Sequence, residues 1–167
     1  MQIHIRDAES NDLQAVFNLM RGFAHGEGLE QYFELTYDAL ARFYLQTPKR
    51  LHILVAASET AVVGYAAYLF HFSPWAGREY LYLDDLYVVE EARGEGVGSR
   101  LMRRIGEIAL EHNVDARWHV ETDNRSAQKF YGALGAALRD KFIAYWFPDA
   151  IREHLENMDG YSSSANS

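Results

Sequence analysis

The segment LYLDDLYVVEEARGEGVGSRLMRRI at residues 81–105 decides the fold, because three structural patterns follow one another within it. It begins with an apolar, β-rich run that is typical of a strand. Glycines then alternate at positions 94, 96 and 98, and from Val97 onward the apolar residues recur at steps of four and three. That spacing predicts an amphipathic helix over residues 98–112, so the segment is a strand, a glycine turn and a helix.

The glycine turn has the features of an anion-binding site. Glycine lets the backbone approach a ligand closely, and the N–H groups and dipole at a helix N-terminus favour a phosphate. A dinucleotide-binding fingerprint would place the third glycine one residue later, and a nucleotide-triphosphate loop would end in Gly-Lys-Ser or Gly-Lys-Thr. A pyrophosphate cradle and a turn without a ligand therefore remain as alternatives.

The rest of the chain predicts alternating strand and helix segments. We expect strands at 3–6, 51–57, 61–70, 79–89, 116–122 and 142–147, a helix capped by Ser10 or Asn11, a helix at 37–46, and a short helix between Asn124 and Gly135. Three consecutive β-rich runs without a helix between them favour an antiparallel meander. The length predicts one domain over 1–155, and the small polar residues of 156–167 predict a disordered tail.

Composition excludes several classes of function. Sixteen Lys and Arg against 24 Asp and Glu give a formal charge of -8, which disfavours nucleic acid and favours small cationic molecules. The chain has no cysteine, and its seven histidines show no metal-ligand spacing, so we expect no disulfide and no metal site. No apolar run is long enough to span a bilayer and no signal peptide is evident; these features predict a cytoplasmic protein that does not bind membranes.

Two motifs resemble the GNAT N-acetyltransferase family. The stretch LYLDDLYVVEEARGEGVGSRLM is similar to its acetyl-CoA-binding region, with Arg93, Gly96 and Gly98 at the pyrophosphate-binding positions. The stretch DNRSAQKFYGALGA at 123–136 is similar to its second signature, and the likeness covers residues 2–147. It implies an α/β (α+β) fold in which helices flank a mixed, mostly antiparallel sheet with splayed strands.

The resemblance also implies how acetyl-CoA, as cosubstrate, would bind. Backbone N–H groups at Leu86, Tyr87 and Val88 would polarise the acetyl carbonyl. Cofactor contacts are further implied for Arg93, Gly94, Glu95, Gly96, Val97, Gly98, Ser99, Asn124, Ser126, Ala127 and Tyr131. Asn124 serves equally well as a plain helix cap.

Within the family, GYAAYLFHFSPWAGREYLYLDDLYV at 64–88 resembles the diamine acetyltransferases, which are similar to spermidine/spermine acetyltransferases. Those enzymes usually carry Glu-Asp where this chain has Asp84 and Asp85. An alkyl amine has a pKa of about 10, so a carboxylate must remove its last proton before the nitrogen attacks. We assign that role to Asp84 and a structural role to Asp85, because alternation along a strand places them on opposite faces unless a bulge intervenes.

The resemblance gives Tyr131 the role of general acid toward the departing thiolate, although Tyr131 also fits the apolar stripe of its helix. An acceptor pocket would combine Asp84 with Trp75, Glu27 and Glu30; the two glutamates otherwise form a solvated surface. The expected reaction is direct transfer of acetyl to the primary amine of a small cationic acceptor, diamine-like or polyamine-like. Alternatives are a thialysine-like amino acid, a protein amino group, or a catalytically silent acetyl-CoA-binding module, and a homodimer is possible.

Overall fold

The computed structural model describes the backbone of residues 2–164 and the side chains of residues 2–156. It divides into two compact units, Met1–His119 and Val120–Ser167, which are described separately below. The expectation of one domain over 1–155 remains a prediction. In the described part of the chain, no helix is both long and apolar enough to cross a membrane.

The first unit contains a five-stranded sheet in sequence order. Its strands are β1 (His4–Asp7), β2 (His52–Ala57), β3 (Val62–Ser73), β4 (Arg78–Val88) and β5 (Ala116–Arg117). β1 to β4 are antiparallel neighbours, and β5 runs parallel to β4. The predicted antiparallel meander is therefore confirmed, and the mixed sheet matches the expected fold class.

Helices cover both faces of this sheet. On one face, α1 (Leu13–Gly26) and α2 (Tyr37–Leu45) share a core with alternate residues of β2 and β3, including Val55 and Tyr65. By alternation, Leu54 and Ala66 point to the opposite face, where α3 (Val97–Glu111) contacts β2, β3 and β4. Apolar periodicity thus predicted all three helices of this unit to within a few residues.

A buried carboxylate organises the start of α1. Asp12 accepts hydrogen bonds from the Glu9 backbone N–H at 2.7 Å and from the Arg6 guanidinium at 2.6 and 3.0 Å. The Arg6 hydrogen bonds hold the pKa of Asp12 below its ordinary value. Asp12, rather than Ser10 or Asn11, is the residue directly before the helix, because Ser10–Asp12 forms a short 3-10 turn.

The second unit contains α4 (Arg125–Ala133) and α5 (Pro148–Ser164) and no strand within its described residues. The strand predicted at 142–147 is therefore wrong: this apolar run has no partner strand there, and Phe142 is fully exposed. The strand predicted at 116–122 is shortened to β5, because pairing with β4 ends at Arg117.

The structure describes α5 through Ser164, and the expectation of a disordered tail at 156–167 remains a prediction. Pro148 suits the first helical position, and Arg, Glu and Leu within 151–156 are good helix formers, which explains how the helix starts. Residues 165–167 lie outside the described part of the chain.

Candidate active site

A β-bulge in β4 sets the orientation of the two adjacent aspartates. Leu83 lies opposite Tyr68 on β3 and Asp85 lies opposite Ala67, so Asp84 has no opposite residue. In such a bulge, two residues of one strand lie opposite a single residue of its partner. Beyond the inserted residue, the side chains of β4 therefore point to the opposite faces from those that strict alternation would give. Asp84 is exposed, whereas Asp85 is half-buried on the face that carries Ala67 and the α1/α2 core.

The Asp85 carboxylate accepts a hydrogen bond from the hydroxyl of Tyr65, a core residue with no exposed surface. Burial is the main cause that raises the pKa of Asp85, and the nearby Asp84 charge raises it further. The Tyr65 hydrogen bond and the Leu86 backbone N–H act in the opposite direction. Burial also raises the pKa of Tyr65, so its phenol remains a proton donor at neutral pH.

Tyr87 joins this carboxylate to an aromatic group. Its ring centroid lies 5.2 Å from that of Phe23 on α1 and 6.3 Å from that of Tyr65. The Arg93 guanidinium carbon lies 5.7 Å from the Tyr87 ring centroid, and Arg93 Nε donates to the Val88 carbonyl at 2.9 Å. Asp85 therefore shares its face of β4 with aromatic rings, next to the start of the glycine turn.

The end of β4 also carries backbone donors on an unpaired edge. β5 pairs with β4 at Leu81 and Tyr82, and in the first unit this ladder does not continue to Val88. Val89 N–H bonds to Val63 on β3 at 2.9 Å. Because donors alternate along an antiparallel strand, Leu86 and Val88 point their N–H groups away from β3, whereas Tyr87 points its N–H toward β3.

The glycine turn has the geometry expected of an anion cradle. Gly94 and Gly96 have φ values of 78° and 74°, which few other residues adopt readily, and a Cβ on either would meet no atom within 4 Å. Gly96 is the N-cap of α3 and no side chain caps that end. Gly98 and Ser99 follow Val97 in the first helical turn.

The open backbone of the turn and the uncapped N–H groups of α3 suit a phosphate group, and the predicted contacts with the pyrophosphate of acetyl-CoA remain a prediction. Val97 is 2% exposed and anchors the helix in the core, so only its backbone could contact a ligand. The exposed Glu95 carboxylate would repel an anion, so its predicted contact is restricted to the backbone as well.

In the second unit, Asn124 caps α4 by accepting a hydrogen bond from the Ala127 backbone N–H at 2.9 Å. Ser126 lies exposed in the first turn of this helix. Tyr131 is half-buried, and its ring centroid lies 5.1 Å from that of Phe130. The predicted cap is confirmed, whereas the cofactor contacts of these residues and the acid role of Tyr131 remain predictions.

The residues predicted for the acceptor pocket are not all brought together. Trp75 is fully exposed at the tip of the β3–β4 hairpin, roughly 20 Å along the strand from Asp84 at about 3.3 Å per residue. Glu27 is one helical turn beyond Phe23, with its N–H bonded to the Phe23 carbonyl at 3.0 Å. Glu30 instead pairs with His25.

That His25–Glu30 pair borders a surface hollow of about 520 Å³. The hollow is lined by Asn18, Arg21, Gly22, Ala24, His25, Glu30 and Phe33, none of them from the sheet. Asp84, Asp85 and Tyr87 are not among the residues that line this hollow.

The sequence interpretation did not include Tyr65 or Phe23, and it did not predict the hydrogen bond between Tyr65 and Asp85. A signal for the bulge was present, because the apolar residues of β4 fall at positions 81, 83, 86 and 88, and the step of three breaks the alternation. That step predicts an inserted residue at 84 or 85, and with it the move of Asp85 to the side of Tyr65.

The end of β4 that β5 leaves unpaired thus lies beside a glycine turn that leads into the N-terminus of α3. The family model described as Acetyltransferase (GNAT) family matches residues 13–136. The chain therefore belongs to the GNAT family, and it is an acetyl-CoA-dependent acetyltransferase.

Individual relatives agree with this assignment. The thialysine N-epsilon-acetyltransferase of Bos taurus is 36% identical over 144 residues, which cover 80% of this chain and 84% of that protein. The human spermidine/spermine N(1)-acetyltransferase-like protein 1 is 29% identical over 140 residues, 79% of this chain and 20% of that protein. An integron cassette protein from V. cholerae superposes with a TM-score of 0.72 at 25% identity, covering 93% of this chain and 98% of that one.

Proposed function

We propose that this acetyltransferase acetylates the primary amine of a small cationic acceptor that binds beside Asp85 and Tyr87. The observation that carries the proposal is a half-buried carboxylate next to aromatic rings, at the end of the strand whose edge presents the Leu86 and Val88 N–H groups. An ammonium group is attracted both by a carboxylate and by the faces of aromatic rings. The net charge of -8 favours the same class of acceptor.

The amine must lose a proton before it attacks the acetyl carbonyl. A base works best when its pKa lies near the working pH, and burial moves the pKa of Asp85 upward, toward that range. We therefore propose Asp85 as the carboxylate that meets the amine. Asp84 keeps its predicted role as base in a weaker form: it is exposed at the bulge and could accept the proton through water.

The reaction also needs donors that stabilise the acetyl oxygen and protonate the leaving thiolate. The Val88 N–H is proposed to hydrogen-bond the acetyl oxygen as negative charge develops on it, whereas the Leu86 N–H already donates to the Asp85 carboxylate. Tyr131 is proposed to protonate the leaving thiolate, a role that rests on the resemblance of residues 123–136 to the family signature.

Two acceptor classes follow from the relatives. The likeness to the bovine thialysine enzyme favours an amino acid with an amine-bearing side chain, and the likeness to the human spermidine/spermine-type protein favours a polyamine. A polyamine would need carboxylates alone, whereas an amino acid also carries a carboxylate that needs a cationic partner. The two adjacent carboxylates of Asp84 and Asp85 favour the diamine or polyamine class.

The test is release of free thiol from acetyl-CoA with diamines, polyamines, thialysine, D- and L-amino acids and peptides. Asp85→Asn should lower kcat/KM for the preferred amine by about 10²-fold or more, with little change in the KM for acetyl-CoA. Glu79→Gln is the matched control, because Glu79 is an exposed acid on the same strand. Binding of acetyl-CoA without thiol release from any amine would refute the proposal and support the catalytically silent alternative.

A further inference from the structure

Tyr65 places a polar hydroxyl in the apolar core that the sheet shares with α1 and α2. Tyr65 is the largest of the core side chains that have almost no exposed surface, yet its ring carries a hydroxyl where phenylalanine would carry a hydrogen. A buried hydroxyl costs free energy unless it is hydrogen-bonded, and here its partner is the Asp85 carboxylate. Phenylalanine would fill the same volume, so packing alone does not account for the hydroxyl.

The sheet register explains how the two groups meet. Tyr65 lies directly opposite Tyr87, and Asp85 lies two residues before Tyr87 on the same face. A diagonal pair of this kind is within reach of a long aromatic side chain. The meeting depends on the bulge at Asp84, since without it Leu86 would lie opposite Tyr65.

We infer that Tyr65 is a positioning residue: its hydroxyl binds one oxygen of the Asp85 carboxylate so that the second oxygen faces the amine of the acceptor. This inference rests on the proposed function, and it adds a residue that touches neither acceptor nor cofactor. A hydrogen bond to a carboxylate also favours its ionised form. Tyr65 therefore keeps a half-buried acid charged, which burial alone opposes.

The groups around Asp85 define what else could control its ionisation. From β4 these are Asp84 and Tyr87, and from β3 the group is Tyr65. The Arg93 guanidinium lies over the Tyr87 ring, and the α1 side chain in contact with that ring is the uncharged Phe23. Tyr65 is thus the side chain that donates a hydrogen bond directly to Asp85.

The experiment compares Tyr65→Phe with Tyr44→Phe. Tyr44 is 4% exposed in the same core and donates its hydroxyl hydrogen to the Ala8 carbonyl, so the control removes a buried hydroxyl whose partner is not Asp85. The carboxyl carbon of Asp85, assigned with Asp85→Asn, is titrated by NMR in the cofactor-free protein. Tyr65→Phe should raise its midpoint by about one pH unit, and Tyr44→Phe should leave it unchanged.

Kinetics then test the link to the reaction. In Tyr65→Phe the acidic limb of kcat/KM should move upward by the same unit and the acceptor KM should rise about tenfold, while the KM for acetyl-CoA stays constant. In an Asp85→Asn background the Tyr65 substitution should have no further effect, as expected if it acts through Asp85. An unmoved Asp85 midpoint, or a moved midpoint with unchanged acceptor kinetics in an active wild-type enzyme, would overturn the inference. Failure of the wild-type enzyme to acetylate any amine refutes the proposed function instead, and the NMR midpoint still decides whether Tyr65 controls the carboxylate.

Discussion

Gly64→Ala should disturb the strand end that carries the proposed donors. A Cβ added at Gly64 would lie 2.8 Å from the Tyr87 carbonyl oxygen, 3.2 Å from Val88 Cγ2 and 3.3 Å from Val88 Cα. The closest of these atoms belongs to the backbone, so rotation of a side chain does not relieve the contact. β3 and β4 must therefore separate by several tenths of an ångström at this step, where Gly64 and Val88 are opposite residues.

The expected cost follows from this geometry. Overpacking of a well-packed interior costs about 1–3 kcal/mol, and for a protein of this size each kcal/mol lowers Tm by roughly 2–4 °C. We therefore expect Tm to fall by about 2–12 °C, measured by circular dichroism or calorimetry. Displacement of the Val88 N–H should also lower kcat by about threefold to tenfold, since small misplacements of reacting groups are costly.

Gly106→Ala is the matched control, because a Cβ at this α3 position meets no atom within 4 Å. Alanine is the better helix former, so this variant should gain about 0.5–1 kcal/mol and keep its activity. Wild-type Tm and wild-type kcat in Gly64→Ala would show that the β3–β4 spacing has no such constraint, and the reasoning would then be wrong.

Four further predictions concern single side chains. Asp12→Asn should cost about 2 kcal/mol at pH 7 by weakening the hydrogen bonds to Arg6. The pKa of Asp12 is lower in the folded than in the unfolded protein, so its ionised carboxylate adds to the free energy of unfolding above the ordinary pKa of 3.8. This stabilisation is lost as the pH falls through the folded pKa, and urea unfolding should then show equal stability for the variant and the wild type. Asp85→Asn should be more stable than wild type at pH 7, since a raised folded pKa means that ionisation opposes folding; equal or lower stability by urea unfolding would contradict this. Asn124→Ala should destabilise α4 by about 1 kcal/mol, seen as faster amide exchange in that helix. Tyr131→Phe should lower kcat about 10²-fold without weakening acetyl-CoA binding, and an unchanged kcat would exclude it as the acid.

The elements that depend on local pattern could be predicted from the sequence. The 3.6-residue periodicity from Val97 onward gave α3, and the position of Asn124 gave the cap of α4, because each depends on residues within one or two turns. The three β-rich runs gave the meander for the same reason.

The elements that depend on a distant partner could not be predicted in this way. Residues 142–147 have strand composition, but a strand exists only when a neighbour supplies hydrogen bonds. Tyr65 and Asp85 are 20 residues apart, and their contact depends on a register that shifts by one residue at Asp84.

That one-residue shift determines which acid can serve the site. Without the bulge, Asp85 would lie opposite Ala66, which is fully buried on the α3 face, and the fold would have to place a charge in an apolar core. With it, Leu81, Leu83, Leu86 and Val88 all face α3, and Asp85 turns to the opposite side, beside Tyr65. The same shift turns the Leu86 and Val88 N–H groups to the edge that β5 leaves unpaired. A single inserted residue therefore keeps Asp85 out of the α3 core, and it sets the side-chain acid and the backbone donors at adjacent positions of one strand.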